Sequence, residues 1–491
     1  MSGRLKEFYS FKVEILSTRD LCYAQSLQTL KGAGLMMKYL LKGGTVISGL
    51  DTLKADVLIE DEKILEVGKE IPEEDATVID VAGKYVFPGF IDAHTHFDLE
   101  VSGTVTADNF DTGTKAAIVG GNTCIIDFAT QNKGETLQEG LDNWHKKADH
   151  RSSCDYGFHM AISEWNPHTS EEVPHMFQEG ITSFKLYMTY SSRVRDGEIY
   201  EVLKRIKEYG GIVGVHCENG ELIDQLIAEQ KKEGNFSPSA HPVSRPSCIE
   251  AEAINRFLTI AKLVDVPVIV VHLSTKEGFE VIQRAAEQGQ KVYIETCPQY
   301  LLLDESKYYL PGFESAKYVI SPPLRTKEDS HCLWKGLKED KIHTLATDHC
   351  SFTLKQKEMG KDDYTKIPNG MPGVETRAAV VYTYGVLEDK ISLNQMCKLM
   401  AENPAKLYGL YPRKGTIQAG SDADIVVWDP EYQGKITAAN QMQNVDYAPF
   451  EGYNIKGRPE KVFLRGQLLV EDGKLLKENQ GKYISRKRGT L

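Results

Sequence analysis

Eight short, near-continuous apolar runs recur along the middle of the chain, at residues 86–93, 122–128, 155–162, 183–188, 212–216, 266–273, 291–296 and 342–347. Apolar runs without alternation suit parallel strands buried on both faces. Longer stretches with helical spacing separate them, as at 197–209 and 276–288. Eight alternating units predict an α/β fold, a TIM-type (β/α)8 barrel. The gaps at about 220–262 and 297–341 exceed the rest. Insertions of that kind decorate the mouth where the strands end, which is where such barrels carry their chemistry.

The two ends of the chain read differently. Short alternating strands with turn signals fill 37–86, and the texture returns at Asp424-Ile425-Val426-Val427-Trp428 and at 461–470. Two β segments around one long middle predict a small β-sandwich domain closed by both chain ends. The expected boundaries are 37–86 with 415–480 for that domain, 87–414 for the barrel and 481–491 for a C-terminal tail. Residues 1–36 lack a clear period and end in Lys31-Gly32-Ala33-Gly34. They read as an N-terminal extension, with Met36 or Met37 as the functional start; an extra ordered arm is the other reading.

Composition removes several function classes. With 58 basic and 70 acidic residues the net charge is −12, which argues against a nucleic-acid partner. No stretch approaches the roughly 18 apolar residues of a membrane span, and the first residues hold no continuous apolar core of a signal peptide. Nine scattered cysteines without a C-x-x-C pair fit a reducing cytoplasm.

The polar residues at the strand ends carry the chemical signal. The first run ends Asp92-Ala93-His94-Thr95-His96, and alternate strand residues face the same way. Later runs end in or near Lys185, His216, His272 and Asp348. A lone histidine there is more often a hydrogen-bonded core residue, but a barrel brings all these ends to one mouth. Four imidazoles and one carboxylate exceed the needs of one tetrahedral zinc and suit two divalent ions. An ammonium among two dications is untenable. Burial and nearby cations favour the neutral amine, which can add carbon dioxide. The resulting carbamate has one oxygen for each metal.

These residues also carry a resemblance. The run Phe87-Pro88-Gly89-Phe90-Ile91-Asp92-Ala93-His94-Thr95-His96 resembles the opening metal motif of the amidohydrolase superfamily. Ser183-Phe184-Lys185-Leu186-Tyr187-Met188-Thr189-Tyr190 resembles the carboxylated-lysine motif of hydantoinases and dihydropyrimidinases. So do Glu295-Thr296-Cys297-Pro298-Gln299-Tyr300-Leu301, Ser321-Pro322-Pro323-Leu324-Arg325, Ala346-Thr347-Asp348-His349-Cys350 and Pro368-Asn369-Gly370-Met371-Pro372-Gly373-Val374-Glu375. The likeness runs from Met37 to about Arg488 and is closest to the bacterial D-phenylhydantoinase type.

The resemblance implies a hydrolase that opens the ring of a 5-substituted hydantoin or dihydropyrimidine to an N-carbamoyl amino acid, by attack of a hydroxide shared between two zinc ions. It implies that His94, His96 and Asp348 bind one metal and His216 and His272 the second, with carboxylated Lys185 bridging. Tyr190 is similar to the family tyrosine that stabilises the oxyanion, and Asp348 to the proton carrier. Ser321 and Asn369 match positions whose backbone groups hold the cyclic imide. A homotetramer is implied, to which the tail could add contacts. Phe97, Leu99, Tyr187 and the loop 191–195 are expected to shape the pocket for the ring substituent. Allantoinase-like or dihydroorotase-like activity is the rival within enzymes; Asp98 and Glu100 beside the first His pair disfavour an acidic substrate. A non-catalytic assembly homologue is the other rival, set against by the complete ligand set.

Overall fold

The computed structural model describes residues 37–491. The expected extension at 1–36 lies outside the described residues.

The chain opens with β1 (Lys38–Ile47), β2 (Thr52–Glu60), β3 (Lys63–Gly68), β4 (Thr77–Asp80) and β5 (Tyr85–Pro88). The barrel follows with β6 (Phe90–Thr95), and a small hairpin of β7 (Glu100–Val101) and β8 (Thr104–Val105) stands at its mouth. The barrel continues through β9 (Asn122–Thr130), β10 (Asp155–Ala161), β11 (Ser183–Tyr187), β12 (Ile212–His216), β13 (Val268–Val270), β14 (Val292–Thr296) and β15 (Thr344–Leu345). The chain then returns to the first domain with β16 (Ile425–Lys435), β17 (Asn454–Leu464), β18 (Gln467–Glu471) and β19 (Lys474–Leu475).

Every one of the eight apolar runs overlaps a barrel strand. Neighbours pair in parallel in the order β15-β14-β13-β12-β11-β10-β9-β6. Past its last strand the barrel closes through a parallel bridge between Thr95 and His349, with His96 N donating to His349 O at 2.8 Å. Every residue of β6 and β10 is buried, which is why neither shows alternation. Helices cover the outside. The helix Leu137–Ala148, for example, starts at a capping box in which Thr136 and Glu139 satisfy each other's backbone N–H.

The run 86–93 is divided between two sheets. β5 pairs with β1 and β16, and β6 opens the barrel. The sheet of the first domain thus extends through Pro88, two residues past the expected boundary. The two strands looked like one because both are buried. Gly89 separates them, and a Cβ there would meet Thr123 Oγ1 at 2.0 Å.

The two chain ends build one β domain. Its strands form a single nine-stranded sheet, in the order β19-β18-β17-β16-β5-β1-β2-β3 with β4 beside β1. The sheet rolls until its far edge meets the segment before β16: Ile64 N donates to Ser421 O at 3.0 Å. Leu41, Val57, Ile64, Val86, Ile425, Val427 and Phe463 fill the inside. A buried ionic cluster ties this domain to the barrel. Lys414 Nζ lies 2.7 Å from Asp155 Oδ2 at the start of β10 and 3.2 Å from Asp422 Oδ2, and it also binds Asp424.

Within the chain the tail crosses the amino-terminal end of the barrel. Tyr483 bridges in parallel to Tyr156. The buried Arg486 donates to Phe158 O and, at 2.8 Å, to Ser183 Oγ. The opposite end is left open for chemistry.

Candidate active site

The six ligand candidates meet because each sits at the carboxyl end of a barrel strand. His94 lies in β6 with His96 just beyond, Lys185 in β11, and His216 at the end of β12. His272 and Asp348 follow β13 and β15. Asp348 Oδ1 stands 3.1 Å from His94 Nε2 and 3.1 Å from His96 Nε2. The rings of His216 and His272 are 4.5 Å apart, and those of His94 and His272 5.4 Å. Donor atoms of His94, His272 and Asp348 lie within 4.8 Å of one another. Three residues here hold left-handed backbone: Tyr190 at φ 67°, His272 at 39° and Asp348 at 52°. Non-glycine residues keep such angles where their surroundings over-determine them, commonly at functional sites.

Lys185 is 1% exposed. Among the described residues its Nζ has no hydrogen bond or ion pair; it faces the rings of Phe128 and Tyr187, 5.1 and 5.3 Å away. Burial lowers its pKa to about 8 against the pull of Asp348 and Glu295. Burial would raise the Asp348 carboxyl, but His94 and His96 overrule it and hold it well below the usual range. The buried Nδ1 of His272 has no partner among the described residues. Clustered imidazoles with an orphaned nitrogen, a carboxylate and a buried amine without an ion pair form a donor set that fits divalent metal ions.

Sequence reasoning assigned no role to Glu295 or Glu218, which hold two of these ligands. Glu295 Oε1 lies 2.6 Å from His94 Nδ1. Glu218 Oε2 lies 2.7 Å from His216 Nε2 and 2.6 Å from Arg245 Nη1. Burial works against the Glu218 carboxylate, yet Arg245 and His216 bring its pKa down to about 2. Carboxylate partners of this kind fix the tautomer and orientation of a ligating imidazole. The signal for Glu218 was present: it stands two positions past His216. Nothing in the local sequence pairs Glu295 with His94. Asp127 accepts from Thr95 Oγ1 at 2.8 Å, Phe97 N at 2.9 Å and Trp144 Nε1 at 2.9 Å, so it braces the turn after the first His pair. His349 points away from the mouth to Asp108, 3.0 Å distant.

A cavity of about 950 Å³ opens over the ligands. Tyr190, Ser321 and Asn369 all line it, and both long insertions reach it, the first through Arg245 and the second through Ser321. Asn369 Nδ2 donates to Ser321 Oγ at 3.0 Å. The Arg245 guanidinium lies 5.5 Å from the Tyr190 ring. Burial pushes the Tyr190 hydroxyl pKa up, so it stays protonated.

The expected substituent pocket is corrected in part. Leu99, Tyr187, Ser191 and Ser192 line the cavity. Phe97 does not: it is fully buried against Phe110 and His349. Arg193 pairs with Asp224 of the helix Gly220–Lys232 at 2.8 Å and Arg195 with Glu198 of the helix Asp196–Tyr209 at 2.7 Å, so these two arginines of that loop are tied to neighbouring helices. Asp98 accepts from Phe110 N at 3.0 Å, whereas Glu100 lines the cavity.

Comparison with known proteins agrees with this arrangement. The amidohydrolase family model matches residues 85–469. A D-hydantoinase of Geobacillus stearothermophilus is 45% identical over 461 residues, covering 93% of this chain and 98% of that protein. A D-phenylhydantoinase of Escherichia coli O1:K1 / APEC is 38% identical over 456 residues, covering 92% and 98%. The crystal structure of dihydropyrimidinase from Brevibacillus agri NCHU1002 superposes with a TM-score of 0.92 at 44% identity, covering 93% of this chain and all of that one. With the barrel, the clustered ligands and these likenesses together, the chain belongs to the amidohydrolase family, in its hydantoinase and dihydropyrimidinase branch.

Proposed function

We propose that this protein hydrolyses 5-substituted hydantoins or dihydropyrimidines to N-carbamoyl amino acids, using two zinc ions and a carboxylated Lys185. The observation that carries this reading is Lys185: a buried amine with no ion pair among the described residues, within electrostatic reach of all four imidazoles. Carboxylation would turn it into the missing anion. His94, His96 and Asp348 would hold one ion, His216 and His272 the other, and the carbamate both. Bound there, the pair would supply hydroxide near neutral pH and polarise the ring carbonyl.

The chain's own groups do the rest. Asp348 accepts a proton and returns it to the leaving ring nitrogen. Tyr190 donates its hydroxyl proton to the carbonyl oxygen as charge develops there, a contribution worth roughly 3–4 kcal/mol for donors of this kind. Backbone groups at Ser321 and Asn369 grip the imide edge, and Leu99 and Tyr187 receive the substituent. An acidic ring is the weaker reading, since Glu100 lines the cavity and Arg245 is already paired with Glu218.

We assign the enzyme to the cytoplasm as a homotetramer. The eight cysteines among the described residues are all free, and no helix among those residues is long and apolar enough to cross a membrane. The catalytic unit is the barrel, with the β domain from both chain ends as its support.

The test is a substrate panel of dihydrouracil, hydantoin, phenylhydantoin and allantoin with protein prepared in zinc and bicarbonate. Ring opening of the first three, with about two zinc per chain, is expected. Near-zero metal would favour an assembly protein; full metal with turnover of allantoin alone would favour the rival hydrolase.

A further inference from the structure

We propose that Lys357 is a positioning residue for substrate recognition, clamping together the two segments that present Ser321 and Asn369 to the cavity. The inference rests on the proposed role of those two residues in holding the imide.

Lys357 ends the short helix Leu354–Lys357 and is fully buried. Its Nζ donates to three backbone carbonyls: Val319 O at 3.0 Å, Pro368 O at 2.7 Å and Gly370 O at 2.7 Å. An ammonium has three donors and no acceptor, so three carbonyls saturate it. The acceptors flank Asn369 on both sides and precede Ser321 by two residues. His241 Nε2 lies 2.7 Å from Ile320 O and takes the carbonyl between. The backbone at 319, 320, 368 and 370 is thereby committed inward. The carbonyls of Ser321 and Asn369 have no donor among the described residues.

The clamp has a second jaw. Gly370 N donates to Val319 O at 3.0 Å, and a Cβ on Gly370, whose φ is 148°, would meet Cys350 O at 2.2 Å. The 368–370 loop is therefore pressed between Lys357 and the strand end that carries Asp348. Backbone that must hold a ligand through its own carbonyls gains most from such fixing, because ordering is completed before binding.

The test uses full-length, metal-loaded protein with Lys357→Met and Lys357→Gln, neither of which can serve three carbonyls. KM for hydantoin should rise by at least about tenfold, with kcat within about twofold and metal content unchanged. Amide exchange at 319–321 and 369–371 should quicken by about tenfold or more in whichever variant folds, whether or not any ring is opened. Unchanged KM and exchange would overturn the clamp. A matched fall of kcat and metal content would overturn it too, in favour of a general structural role. If the unaltered chain opens no ring while exchange quickens as stated, the proposed function fails and the clamp stands.

Discussion

His94 and Glu295 are 201 positions apart in the chain, and their Nδ1 and Oε1 atoms are 2.6 Å apart in the fold. The carboxylate sets which imidazole nitrogen carries the proton and so leaves Nε2 free toward Asp348. Glu295→Gln should lower metal affinity by about 10–100-fold, the usual cost of removing such a partner. Titration of the loaded protein with a competing chelator measures it; unchanged retention would refute the role.

Lys185→Met should abolish the shared anion. Turnover should fall by about a thousandfold or more, and metal content should drop with it. Incorporation of isotope-labelled bicarbonate into the unaltered protein, and its absence from the variant, is the direct check. Full metal content in the variant would show that the amine bridges nothing.

Tyr190→Phe removes a hydroxyl and little else. A fall in kcat of about 10²–10³ is expected with metal content unchanged, because the lost hydrogen bond forms mainly in the transition state. A variant as active as the original would assign Tyr190 to packing.

Glu375 supplies a pH test outside the ligand cluster. Burial raises its pKa to about 8 despite N–H donors at Met442 and Gln443. Because the folded value lies above the unfolded one, the folded chain keeps a proton that the unfolded chain loses. The group's contribution is complete below about pH 4 and is lost as pH rises through about 8. Glu375→Gln should therefore raise Tm relative to the unaltered chain at pH 9, by up to a few kcal/mol in stability, with a smaller gain at pH 6. An equal gain at both values would contradict the assignment.

Lys414→Met should strand Asp155, Asp422 and Asp424 without their shared cation. A loss of about 3–5 kcal/mol is expected, read as a lower Tm in thermal unfolding. A variant of unchanged Tm would show that the cluster contributes nothing between the domains.

Much of this molecule was legible in one dimension. Buried parallel strands must be apolar throughout, so the eight runs announced the barrel, and strand periodicity placed the polar residues at one mouth. The ligand candidates could be read because they lie at or near the ends of five strands, His94 and His96 sharing one. The division at Gly89 was hidden because two buried strands of different sheets read as one apolar run. Phe97 was misread for a related reason: adjacency to a ligand says nothing of which way a side chain turns once the strand has ended.

Local pattern therefore determined the strand–helix alternation, the β segments at both ends and the six convergent side chains. The tertiary structure alone decided how those side chains are held: Glu295 beside His94, Arg245 joining Glu218 near Tyr190, and Lys357 between two distant loops. Periodicity depends on neighbours a few residues apart, whereas these contacts join segments whose separation along the chain carries no signal until the barrel closes.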